Sequence, residues 1–108
     1  MEGRGRAPNQ RGGSTIQWGE DVTAAFLEGN HLDLIVRSHE VRDQGLSSHH
    51  GGKVITVFSA PNYCDSNGNL GAVLIFEKRS QNVRYLQFDC VKHPDLPPMY
   101  YKSTFSRM

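Results

Sequence analysis

Apolar residues along this chain fall into short runs that stop abruptly at polar ones, and the runs follow two different periods. Between Gly19 and Asn30, Val22, Ala25 and Phe26 recur at i, i+3 and i+4. Glu20 and Asp21 stand where a first helical turn favours acidic side chains, and Gly29 and Asn30 supply a stop. The pattern predicts a short amphipathic helix over 21–28 with one buried stripe. Residues 32–37 and 53–58 are instead almost continuously apolar, the pattern of strands covered on both faces.

Asp43, Gln44 and Gly45, and again His50, Gly51 and Gly52, are turn chemistry, and the polar stretch between them is able to pair as a strand. Residues 71–77 and 83–89 alternate well enough to form a hairpin across 78–82. The result is an α/β chain with one short helix and four to five strands. It divides into a flexible Arg/Gly-rich start at 1–13, an ordered body at 14–92 and a tail at 93–108. The tail carries Pro94, Pro97 and Pro98, then Met99, Tyr100, Tyr101 and Phe105, and is suited to lie against a surface that this chain only partly provides.

Composition narrows the picture. A length of 108 residues with 37% hydrophobic content allows one domain at most, with a modest core. A net charge of +1 gives no field that would select a nucleic acid or a membrane surface. No apolar stretch approaches the roughly 20 residues needed to span a bilayer, and the first residues lack the apolar centre of a signal peptide. The expected address is cytosol or nucleus. Cys64 and Cys90 are then expected as free thiols, Cys64 accessible in a loop and Cys90 buried at a strand end.

The chemistry gathers where two apolar runs end. One run leads into Arg37, Ser38, His39, Glu40 and Val41, the other into Ser59, Ala60, Pro61, Asn62, Tyr63 and Cys64. A histidine mounted at a strand end has the rigidity a metal ligand needs. The second run delivers polar side chains in the same way, so the two ends are expected to wall one site.

In order, Asn9-Gln10-Arg11-Gly12-Gly13, Trp18-Gly19-Glu20-Asp21-Val22, Phe26-Leu27, Asn30, Leu32, Leu34-Ile35, Arg37-Ser38-His39-Glu40-Val41, Gly45, Gly52-Lys53, Thr56 through Cys64, Asn69 and Gly71-Ala72 resemble the C-terminal part of the phosphoprotein phosphatase family of serine/threonine phosphatases. The likeness runs over 9–76 without an apparent gap. Beyond it, Gln87-Phe88, Val91, His93-Pro94, Pro98-Met99 and Tyr100 are similar to the ending of the subfamily that also carries tetratricopeptide repeats. The family's Gly-Asp-x-His-Gly, Gly-Asp-x-x-Asp-Arg-Gly and Gly-Asn-His-Glu segments, which supply most of its metal ligands and its proposed general acid, do not occur in this sequence. The resemblance therefore implies the closing third of a catalytic domain, the C-terminal portion of a metallophosphatase β-sandwich flanked by helices.

The resemblance also implies roles. His39 corresponds to a metal ligand of a centre holding two divalent ions, manganese foremost and iron or zinc as alternatives, which activate water to hydrolyse phosphoserine and phosphothreonine. Arg11 corresponds to an arginine that contacts the substrate phosphate, and Tyr63 to a tyrosine lining the cleft. Asn62 and Cys64 lie in the loop 59–69, which borders the site and receives inhibitors. Phosphoprotein substrates and regulatory or inhibitor proteins are the implied partners. Cys64 lacks an acidifying neighbour and is read as accessible rather than nucleophilic. His31, His49, His50 and His93 match no ligand position, and His49 and His50 read as turn residues.

Two positions depart from the family pattern: Trp18 replaces a usual phenylalanine and Leu46 a frequent tyrosine. One ligand cannot retain a dinuclear centre, so the isolated chain is expected to be inactive. A competing expectation is a non-catalytic, phosphatase-like docking module. A third, an RNA-binding tail at Arg4-Gly5-Arg6 and Arg11-Gly12-Gly13, is disfavoured because such segments repeat many times and interleave aromatics.

Overall fold

A computed structural model of the protein describes residues 3–79 and 82–95. The expectations for the tail from residue 96 onward lie outside the described residues, as does the middle of the hairpin turn at Ser80 and Gln81. The elements in order are β1 (Arg6–Pro8), β2 (Ile16–Trp18), α1 (Glu20–Asn30), β3 (Ile35–Arg37), β4 (Leu46–His49), β5 (Val54–Val57), a 3-10 turn (Tyr63–Asp65), β6 (Gly71–Phe76) and β7 (Val83–Phe88).

The strands form a three-stranded sheet and two hairpins. In the three-stranded sheet β5 is central, parallel to β3 and antiparallel to β4. The pairs β1–β2 and β6–β7 are antiparallel. Sequence patterning places no element before Gly13, yet β1 lies there, paired residue for residue with β2 from Arg6 opposite Trp18 to Pro8 opposite Ile16. The β6–β7 hairpin matches the expected strand bounds to within a residue, without alternating burial, and joins the three-stranded sheet through Ala72, whose N–H donates to the carbonyl of Phe58 at 3.0 Å. At the same junction Gly45 has φ of +80°, and a Cβ there would sit 2.5 Å from the carbonyl carbon of Gly71. Only glycine permits both the conformation and the approach.

The helix extends further than expected at both ends. It runs through Gly29 and Asn30 and stops when His31 turns left-handed (φ 54°), its N–H bonding the carbonyl of Glu28. Its buried face is also shifted. Phe26, placed in the buried stripe by periodicity, is half exposed, and Thr23 and Leu27 are buried instead. Thr23 tolerates burial because its hydroxyl is satisfied twice: the Trp18 indole N–H donates to Oγ1 at 2.8 Å, and His50 Nδ1 lies 2.8 Å away. The indole can only donate, so Thr23 accepts from it, and the hydroxyl shares its second hydrogen bond with the His50 ring. The tryptophan that departs from the family pattern thus links β2, α1 and the β4–β5 turn.

The core is thin. Among the described residues its fully buried apolar side chains are Leu27, Val54 and Ala72, beside the polar Thr23, Thr56 and Asn69. Leu32, which lies before β3, and Val36 within it, both expected to be covered on both faces, are 49% and 43% exposed. Phe76, Tyr85 and Leu86 expose more than half of their surface on the β6–β7 hairpin. Cys90, expected as buried filler, is exposed, while Cys64 is exposed as expected, and both are unbridged.

Candidate active site

The site is built outward from Thr56, fully buried on the central strand β5. Its hydroxyl accepts from Arg37 Nη1 at 3.0 Å across the parallel β3–β5 pair. Arg37 Nη2 donates to the Ser38 carbonyl at 2.7 Å and meets Glu40 Oε1 at 2.9 Å. Ser38 in turn caps the neighbouring strand by donating its hydroxyl to the Val57 carbonyl. These bonds fix the backbone just past β3. His39 follows in a bend with φ of +80°, a conformation uncommon for a residue with a Cβ. It therefore stands two residues beyond the strand rather than at its end, and its side chain is open to solvent.

Glu40 is the hub of the neighbourhood. Besides Arg37, its carboxylate reaches Arg42 Nη2 at 3.6 Å and Arg11 Nη1 at 3.9 Å. Arg11 comes from the loop between β1 and β2, so the β1–β2 hairpin folds over the three-stranded sheet. A pocket of about 460 Å³ opens between them, with Arg11, Trp18, Arg37, Glu40, Arg42 and His49 on its walls. Three guanidiniums and one carboxylate leave it net positive, and Arg42 Nε, buried, has no hydrogen-bond partner among the described residues. Partial withdrawal of the His49 ring from water, and then the charge of Arg42, hold that imidazole below its ordinary value. On the outer side of the hairpin, Asp21 accepts the Gly5 N–H at 2.8 Å, a bond that lowers its carboxyl.

Asn62, Tyr63 and Cys64 stand apart from this pocket, in the loop after β5. Tyr63 meets the ring of Phe58 edge to face, centroids 5.1 Å apart. Asn69, buried, closes the loop: its Oδ1 accepts the Tyr63 N–H at 2.8 Å and its Nδ2 donates to the carbonyls of Ala60 and Leu70 at 2.9 and 3.0 Å. Asn62 adds a second tie, accepting the Gly68 N–H at 2.9 Å. Asn62, Cys64 and Asp65 all adopt left-handed φ (45°, 58° and 57°).

The structure thus joins Arg11 to the segment carrying His39, while the Tyr63 loop lies outside the pocket they form. Arg37, Glu40 and Thr56 stand in the runs named above, but neither they nor Arg42 were given a site role by sequence. The signal available was the Arg37–Glu40 spacing of i, i+3 beside the histidine.

This fold, with Arg11 brought to the segment after β3 that carries His39, is similar to a segment of a solved serine/threonine phosphatase structure. No family model matches the chain. Named relatives do: serine/threonine-protein phosphatase 5 of Arabidopsis thaliana is 52% identical over 104 residues, 96% of this chain and 19% of that protein. Serine/threonine-protein phosphatase T of Trypanosoma brucei brucei is 52% identical over 101 residues, covering 94% and 21%. The human serine/threonine-protein phosphatase 5 is 46% identical over 104 residues. A Saccharomyces cerevisiae protein serine/threonine phosphatase, described as similar to human phosphatase PP5, superposes with a TM-score of 0.79 at 44% identity over 94% of this chain and 34% of its own. The chain is homologous over nearly its whole length to serine/threonine-protein phosphatases 5 and T, and it spans about a fifth of the length of these curated relatives.

Phosphoprotein phosphatases use divalent metal ions. Among the described residues, no three His, Cys, Asp or Glu side chains gather in an arrangement that could hold one. His39 is exposed and no other such donor gathers with it there, so the described residues do not by themselves fit a metal centre.

Proposed function

We propose that this chain is the phosphate-handling and substrate-bordering segment of a protein serine/threonine phosphatase that hydrolyses phosphoserine and phosphothreonine in proteins. The observation that carries the reading is the meeting of Arg11 with the His39–Glu40 segment across one positively charged pocket. In that reading Arg11 binds the phosphoryl oxygens through its planar fork of donors. Tyr63 offers a hydroxyl at the cleft wall, and Asn62 and Cys64 belong to a surface for substrate, regulatory or inhibitor proteins. His39 contributes one ligand, with manganese the favoured ion, to a dinuclear set whose other donors lie outside this chain. The two exposed, unbridged thiols fit a reducing compartment, the cytosol or nucleus.

The test is a chimera in which this chain replaces its matched segment in the Arabidopsis thaliana relative. Manganese-dependent hydrolysis of a phosphothreonine peptide, lowered about a hundredfold but still measurable in Arg11→Ala, is the expected outcome. A folded chimera without turnover sinks the proposal, and so does one whose turnover is indifferent to Arg11.

A further inference from the structure

We propose that Glu40 is a positioning residue that holds Arg11 ready for phosphate, an inference that rests on the phosphatase reading above. Arg11 sits in an exposed loop between two three-residue strands, and its side chain is 41% exposed. A free arginine in such a place samples many rotamers and loses that freedom on binding. The structure supplies a chain of contacts that limits the loss. Thr56, fully buried, holds Arg37 at 3.0 Å; Arg37 holds Glu40 at 2.9 Å; Glu40 faces Arg11 at 3.9 Å. Each member is fixed by the one before it, so a mobile loop side chain is referenced to the centre of the sheet.

The last distance carries the argument. At 3.9 Å the contact is too long for a good hydrogen bond, so Glu40 steers Arg11 by charge while the guanidinium keeps its N–H groups for a ligand. The carboxylate also offsets Arg37 and Arg42, which would otherwise repel Arg11 from the pocket.

The experiment uses the active chimera with single and double variants. Glu40→Gln keeps the shape and removes the charge. It should raise KM for a phosphothreonine peptide about tenfold with kcat changed less than about threefold, metal content unaltered, and should add less than twofold to the defect of Arg11→Ala. Additive effects in the double variant overturn the inference, because Glu40 would then act without Arg11. A fall in kcat with loss of bound metal also overturns it, placing Glu40 with His39 instead. Glu40→Asp, shorter but charged, should recover at least half of the lost KM, and failure to do so counts against charge steering. An inactive parent chimera would instead strike the phosphatase reading itself.

Discussion

Arg11 and His39 bear the two halves of the proposed chemistry, and the chain treats them differently. Arg11 lies far off in sequence yet is tied through Glu40 and Arg37 to buried Thr56. His39 is the immediate neighbour of Glu40, yet its ring has no hydrogen bond or ion pair among the described residues. A guanidinium suited to phosphate can be positioned within this chain, because one side chain and its supports suffice. A metal centre needs several donors converging on one point, and the orientation of a ligating histidine normally depends on a partner at its second nitrogen. In the proposed reading, the difference separates what this chain builds from what a complete metal centre would still need.

The largest expected effect tests that separation directly. The isolated chain should show no turnover of p-nitrophenyl phosphate above background, and no single cooperative thermal transition. Burying one large apolar side chain is worth roughly 1.5–3 kcal/mol, and Phe26, Leu32, Phe76, Tyr85 and Leu86 are all about half exposed or more. Manganese-dependent activity from purified chain would break the comparison outright, whereas an inactive monomer that melts cooperatively would favour the docking-module reading.

Within the active chimera, His39→Ala should lower kcat at least about a hundredfold and reduce bound metal, since loss of a ligand exceeds the effect of losing its outer partners. Elemental analysis alongside kinetics checks it; full metal content in the variant would remove His39 from the ligand set. A smaller effect is expected from Thr23→Val, which leaves the Trp18 indole N–H without its acceptor. It should cost about 1–3 kcal/mol in chemical denaturation and raise KM more than it lowers metal content, because the hairpin that carries Arg11 is loosened. Unchanged stability would show the Trp18, Thr23 and His50 link to be dispensable.

The smallest effect is electrostatic. His49 is held below its ordinary value in the folded state, so the unfolded chain binds more protons as pH falls from about 6.5. The chimera should therefore lose a little stability on acidification below that value, and His49→Gln should remove this part of the slope. The ring is largely exposed, which keeps the contribution small. An identical pH slope in the variant would deny His49 any part in it.

How much of this was legible in the sequence depends on the range of the forces involved. Strand β5, helix α1 and the β6–β7 hairpin announce themselves because their apolar periods are local. Strands β1 and β2 do not: each has three residues, and the glycine- and arginine-rich approach to them has no period. The helix face was misread at Phe26 because Thr23 is buried through bonds to Trp18 and His50, and no hydrophobicity pattern encodes that exchange. Arg11, His39 and Tyr63 were named through family likeness. Glu40 as a hub could not be, since its role appears only when the β1–β2 hairpin lies over the sheet.

The loop closed by Asn62 and Asn69 has a kinetic consequence. Three of its residues hold left-handed backbone without being glycine, and they are kept there by ties within the loop itself, from the Asn69 amide to Tyr63, Ala60 and Leu70 and from Asn62 to Gly68. If the loop is the docking surface proposed above, a protein partner would meet a shape already made and owe little ordering entropy for it. Its association should be a single step whose observed rate climbs linearly with concentration, without the plateau that a rearranging loop imposes.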